Sequence, residues 1–316
     1  MSLAEYAPLA EVVRSGFVES VHFGSVVALS AGGEVAVARG RVDAPVLPRS
    51  SAKPFQALAC LLAGAHLQGP ALAIAAGSHT GEDFHVRLVA EMLAEAGLGF
   101  DDLRCPPDWP EDEDTRQALI RAGLGPSRER MNCSGKHAAM LAAAVAAGAP
   151  ADGYLDPGHP VQERVRSVVE ELSGEKAAHV AVDGCGAPLF GISLTGLARA
   201  VRAMAVSPQG TPPRAVADAM RAHPEYVGGT GHLNTRLMRA LPGAVVKGGA
   251  EGVLVVALAS GHAAAVKAID GGPRATTAIA LAALRAAGAD VSAAAEFTTV
   301  PVLGGGVPVG EISAVF

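Results

Sequence analysis

The stretch APVLPRSSAKPFQALACLLAGAHL, residues 44–67, is where the chain changes character. Before it lie two β-branched runs, Val18–Ser30 and Glu34–Arg39, joined by Ala31-Gly32-Gly33, the pattern of a hairpin. Within it, Phe55, Leu58, Leu61 and Leu62 fall at helical spacing, and Pro54 fits only in a first turn. A helix is therefore expected from about Ser50–Ser51. Helical patterns follow at 84–96, 114–122, 134–147, 160–172, 192–205 and 213–222. Short strands are expected at 178–182, 244–247, 253–258 and 263–269, a helix over Pro273–Ala287, and strands in the tail segments EFTTVPVL and GEISAVF. Residues 1–16 read as an amphipathic helix with Leu3, Tyr6, Leu9, Val12 and Val13 on one side. The run ALAIAA, residues 71–76, suits a buried strand or an Ala-rich helix equally. This order predicts an α/β (α+β) chain in one catalytic unit. Its antiparallel sheet comes from both chain ends, about 1–48 and 240–316, with a mostly helical region inserted over about 49–239.

Composition narrows the class of function. The 316 residues carry a net charge of −6 and no basic cluster, which argues against nucleic acid. The N-terminus has acidic residues where a signal peptide would be positive, and every apolar stretch is interrupted before the ~18 residues of a membrane span. The expectation is a soluble, cytoplasmic protein without membrane partners. Four cysteines in so long a chain do not make a disulfide framework. Of 25 basic residues only five are lysine: Lys53, Lys136, Lys176, Lys247 and Lys267. Arg cannot lose its proton and a buried Lys can, so a lysine kept in an Arg-biased chain marks a place where neutrality matters.

Five motifs can carry chemistry. Ser50-Ser51-Ala52-Lys53 is an S-x-x-K at a helix start, where residues i and i+3 share a face and a neutral amine can take a hydroxyl proton. Its ordinary alternative is Ser51 as an N-cap. Lys247-Gly248-Gly249-Ala250-Glu251-Gly252 follows a strand-like run and is similar to the K-T-G of penicillin-recognising enzymes, or else is a Gly-rich turn. GSHTGE, residues 77–82, sets Ser78 in a polar loop after an apolar run, unless Ser78 caps the next helix. MNCSGKH (131–137) and VDGCGAP (182–188) place Cys133 and Cys185 in polar, Gly-containing turns. Together they suit a zinc site completed by His137 or Lys136. They equally suit a cysteine nucleophile paired with His137, two packed thiols, or a labile disulfide. His159 and His223 precede prolines and carry little signal. His232, in GGTGHLNTR, belongs to a lid or a surface loop.

RSSAKPFQ, GSHTGE, MNCSGKHAAML, VDGCGAP and VVKGGAEGV together resemble the asparaginase II family, the rhizobial-type, thermolabile L-asparaginases. The resemblance implies a fold like that of serine β-lactamases and glutaminases, a homodimer, and two Ser–Lys pairs. These are Ser50 with Lys53, Ser50 being the nucleophile, and Ser78 with Lys247. It implies zinc on Cys133, Lys136 and Cys185, supporting substrate binding more than the chemical step. It puts Arg49, His137 and Asp183 near the substrate, L-asparagine. The alternatives are a glutaminase or other serine–lysine amidase, and a non-catalytic, zinc-linked amino-acid-binding protein.

Overall fold

A computed structural model describes residues 3–316. Among these, the N-terminal part forms strands β1 (Ala7–Arg14), β2 (Phe17–Leu29), β3 (Val35–Arg39) and the short β4 (Pro45–Val46). A 3₁₀ turn, Arg49–Ala52, runs into helix α1 (Lys53–Leu62), followed by α2 (Gly69–Ala75), α3 (Asp83–Glu95), α4 (Glu113–Arg121), α5 (Ser134–Ala146) and α6 (Pro160–Ser173). Then come β5 (His179–Val182), β6 (Pro188–Ser193), α7 (Leu194–Val206), α8 (Pro212–Ala222), α9 (Pro224–Val227) and α10 (Leu233–Ala240). The C-terminal part contributes β7 (Val245–Gly249), β8 (Val253–Ala257), β9 (Ala263–Ala268), α11 (Thr276–Ala286), β10 (Thr299–Gly304) and β11 (Val307–Ala314).

An eight-stranded antiparallel sheet has the order β10-β11-β1-β2-β9-β8-β7, with β3 also on β2. Strands from the two ends of the chain thus interleave, as expected, around a helical middle. Every residue of β8 is buried, which requires cover on both faces of the sheet. Helices α7 and α11, rich in Ala and Leu, pack on its central strands. The small β4–β6–β5 sheet stands apart.

The leading amphipathic helix is not there. Residues 7–14 are β1, with Leu9, Ala10 and Val12 in the core. Pro8 would lose a helical hydrogen bond inside a helix, and Val12-Val13 is β-branched. Pairing on one side with β2 and on the other with β11 then decides the matter. Residues 1–2 of that expected helix lie outside the described residues. The 71–76 run resolves to α2. Strand β6 and helix α10 were not anticipated. In α10, Asn234 and Thr235 are buried, so the second half of GGTGHLNTR is neither lid nor surface loop.

Helix α1 organises the helical region. All but its last two residues are buried, and it touches α5, α6 and α8, the pattern of a helix apolar all round. Its first turn lies against the end of β7. A Cβ on Gly249 would come within 2.8 Å of Pro48 O and 3.1–3.2 Å of the Ser51 and Ser50 nitrogens. Backbone cannot yield as a side-chain tip does, so Gly249→Ala should cost about 1–3 kcal/mol of stability by overpacking. It should also displace the Ser50 turn. Urea melts on the variant check the loss of stability.

Candidate active site

Three of the five lysines are buried, with Lys53 and Lys136 1% exposed and Lys247 fully covered. Lysine is almost never found so unless its amine has partners. Two of the three amines converge on one oxygen. Lys53 Nζ and Lys247 Nζ each donate to Ser78 Oγ at 2.8 Å. Lys53 also donates to Asn132 O at 3.2 Å, and Lys247 to Gly248 O at 2.7 Å. Ser78 and Lys247 are thus hydrogen-bonded. Lys53 also turns toward Ser78, and Ser50 lies one turn earlier, half-buried, on the 3₁₀ segment.

Burial and then the nearby Lys53 charge push the Lys247 amine well below the ordinary lysine range. Two ammonium groups 2.8 Å from one oxygen would repel strongly, so the pair favours a single positive charge.

Local structure fixes Ser78. Its N–H donates to Val227 O, and the next residue's N–H donates to Asn132 O. His79, fully buried, shares a hydrogen bond of 2.9 Å with Ser134 Oγ and accepts from Gly81 N. The N-cap of α3 is Glu82, in a capping box with His85, which leaves Ser78 free of a capping role. Ser51 is likewise no cap, because its hydroxyl donates back to Pro48 O at 2.6 Å. Just before Ser50, Arg49 has φ +51°, a left-handed conformation that a side-chain-bearing residue adopts at a cost of roughly 1–3 kcal/mol. Its guanidinium is anchored to Asp183 Oδ1 at 2.7 Å, with Glu251 3.8 Å away. Burial works to raise the Asp183 carboxyl, but Lys136 and Arg49 hold it below the usual range.

Behind this cluster sit the thiols. Lys136 Nζ donates to Cys185 Sγ at 2.9 Å, and Cys133 Sγ donates to Asn132 Oδ1 at 3.1 Å. The neighbouring Cys185 and the flanking lysines push the Cys133 thiol well below its ordinary value against burial, whereas Cys133 and burial push Cys185 up. His137 faces the same pair. Its Nδ1 meets Tyr154 OH at 2.6 Å, while Nε2 is buried without a hydrogen-bond partner among the described residues. Tyr154 thus fixes the ring of His137 through Nδ1. Among the described residues no three His, Cys, Asp or Glu side chains stand together as a metal site. A metal here would need the Lys136 amine as third donor. Two soft sulfurs and a neutral amine fit zinc, at the cost of the protons they now hold.

Sequence reasoning missed the residues that join these parts. Asn132 lies inside a quoted motif, but its role was not assigned. It accepts from Lys53 and Cys133 and donates to Glu111 Oε1 at 2.6 Å. Glu111 falls in the stretch RCPPDWPEDED, whose Pro and acid content reads as linker. Asn234 accepts from Gly248 N at 3.1 Å and steadies the strand end that carries Lys247. His159 and His223 contribute nothing to this cluster; His159 caps α6.

The model of the L-asparaginase II family matches residues 10–314. The chain belongs to the L-asparaginase II family. The match spans the sheet strands from residue 10 onward and all the motifs above. A search of curated proteins found no significant match. Among solved structures, that of Mglu in its native form is 13% identical with a TM-score of 0.44, covering 83% of this chain and 62% of that one. The chain thus spans less than two thirds of the length of Mglu. EstCE1, a hydrolase with promiscuous acyltransferase activity, is 11% identical with a TM-score of 0.40, covering 87% of this chain and 93% of that one. Likenesses at these scores carry no argument about chemistry.

Proposed function

We propose that this asparaginase II family member hydrolyses L-asparagine to L-aspartate and ammonia through a serine acyl-enzyme. The observation that carries the reading is the pair of buried lysine amines on Ser78 Oγ, one of them from Lys53, which follows Ser50 by three residues at the head of α1. With the pair's one charge passed through Ser78 onto Lys247, Lys53 is neutral and takes the Ser50 proton as Oγ attacks the side-chain amide carbon. The carbonyl π pair moves to oxygen, and the Ser50 backbone N–H at the start of the 3₁₀ turn stabilises that charge. Ser78, bonded to Lys53, passes a proton to the leaving nitrogen and is re-protonated from the lysine. C–N cleavage frees ammonia, and water then attacks the ester by the reverse proton path. Arg49 receives the substrate α-carboxylate and Asp183 its α-ammonium, the two ends of an ion pair already matched in charge. His137, buried beside the thiols, is assigned to the substrate's surroundings in the same reading.

A second reading has a specific observation behind it. Both amines contact Ser78 and Lys247 is the one driven toward neutrality, which suits Ser78 as nucleophile with Lys247 as base. Against it, a hydroxyl accepting from two amines has its lone pairs occupied and its proton free to give, the condition of a donor.

Ammonia release from asparagine, with glutamine and a chromogenic cephalosporin in parallel, tests the substrate. Asparagine turnover well above both others supports the reading, and no release from asparagine ends it. One methylene is worth only ~1–3 kcal/mol, so glutamine is the comparison that counts.

We propose further that Cys133, Lys136 and Cys185 hold zinc, which when bound would supply positive charge toward the substrate pocket. Purified protein should contain close to one zinc per chain and Cys185→Ala should lose it. Equal zinc in both removes Cys185 from the ligand set. A homodimeric, cytoplasmic setting belongs to the same reading.

A further inference from the structure

Arg49 serves two spaces. Asp183 holds its Nε beside the catalytic cluster, yet the residue also lines a separate cavity of about 310 Å³ with no wall from Lys53, Ser78 or Lys247. Pro45, Val46, Leu47 and Ile269 give its lining apolar surface, and Arg41, Arg49, Lys267 and Glu251 give it charge. Its size matches the lower end of small-molecule pockets, ~300–1,000 Å³, and the recognition of asparagine at Arg49 and Asp183 leaves it unused.

Lys267 is the informative wall. It is one of the five lysines, half-buried, and outside every catalytic motif. Its Nζ donates to Glu251 O and to Ala268 O, and among the described residues it forms no ion pair. An ammonium has three donors, so one N–H is left for a ligand. Arg41 Nη1 reaches Glu5 at 3.2 Å, with four further N–H groups in its fork. The lining also includes two residues with side chains and left-handed backbone, Arg49 at φ +51° and Glu251 at φ +62°. Such strain persists where surrounding structure enforces it and is concentrated at ligand sites. Glu251 lies two residues beyond Gly249, whose backbone abuts the Ser50 turn, so the cavity adjoins the reacting end of the site through both Arg49 and this strand end.

We propose that this cavity is a subsite for a carboxylate carried on a small apolar body, adjoining the substrate position at Arg49. It rests on the asparagine reading only for its position, not for its binding chemistry. The carboxylate can arrive in two ways: as the far end of an extended substrate, such as a dipeptide beginning with asparagine, or as a free acyl amino acid. L-Asparaginyl-L-leucine and N-acetyl-L-leucine are the two probes. Calorimetry reads their binding, and ammonia release reads hydrolysis of the dipeptide's side-chain amide beside that of asparagine. The proteins are wild type, Lys267→Met and Arg41→Met, with circular dichroism to establish folding.

If the subsite serves an extended substrate, the dipeptide has a lower KM than asparagine. Each variant then raises that KM tenfold or more while asparagine kinetics stay within twofold. If it serves a free effector, N-acetyl-L-leucine binds, its Kd weakens tenfold or more in the variants, and it shifts asparagine turnover. Binding of neither probe, or binding indifferent to both substitutions, overturns the proposal. Lys267-dependent binding without asparagine hydrolysis would keep the subsite and end the asparaginase reading, so the two failures are distinguishable.

Discussion

Ser50→Ala should release ammonia from asparagine about 10⁴-fold more slowly than the wild-type chain, equivalent to ~5.4 kcal/mol of transition-state stabilisation. Removing the attacking oxygen leaves only binding and oxyanion stabilisation, which is why the loss is expected to be so large. The fold should barely notice. Ser50 is half-buried and the lysine network runs through Ser78, so the truncation strands no buried amine. The Arg49–Asp183 anchor and the Ser51 bond to Pro48 also remain. Steady-state ammonia assays paired with thermal melts check this, the melts moving by no more than a few degrees. Ser78→Ala is the informative contrast. It leaves two amines facing one another without the oxygen that joins them, and should cost both rate and stability.

Lys247→Arg should be inactive across the whole pH range, by about 10³-fold or more, the scale of a lost acid–base group with its geometry. Arg keeps the charge but cannot lose its proton, and its planar fork does not place one nitrogen as an amine does. In the wild-type enzyme, burial and then the Lys53 charge depress the Lys247 amine, so it is neutral well below the pH at which an ordinary lysine becomes so. Lowering pH through that depressed value adds a second positive charge at Ser78 Oγ, and the rate falls. Raising pH restores it. The plot of kcat/KM should therefore have an acid limb that rises with pH and belongs to the lysine pair as a unit. A wild-type profile flat to the acid edge of the folded range would show that a neutral lysine is not required.

Much of this was legible because the relevant signals are local. The Gly-joined β-branched runs around residues 31–33 became β2 and β3, and Pro54 marked the head of α1. The scarce lysines pointed to the site for a chemical reason, since three of the five are buried there. What failed depends on partners distant in sequence. Residues 7–14 look helical alone, and only β2 and β11 make them a strand. The S-x-x-K spacing suggests a bond from Lys53 to Ser50, but spacing says nothing of Ser78, which arrives from 25 residues away to accept that amine. Glu111 and Asn234 carry no motif. Their roles come from the opposite ends of hydrogen bonds to Asn132 and Gly248.

The most direct test of lysine-activated Ser50 is the position of the covalent adduct left by a diazoketone analogue of asparagine. Peptide mapping by mass spectrometry should find it on the Ser50 peptide, with Ser50→Ala unlabelled and Ser78→Ala still able to take the label. An adduct on Ser78 or Cys133 instead would contradict the assignment of Ser50 as the nucleophile.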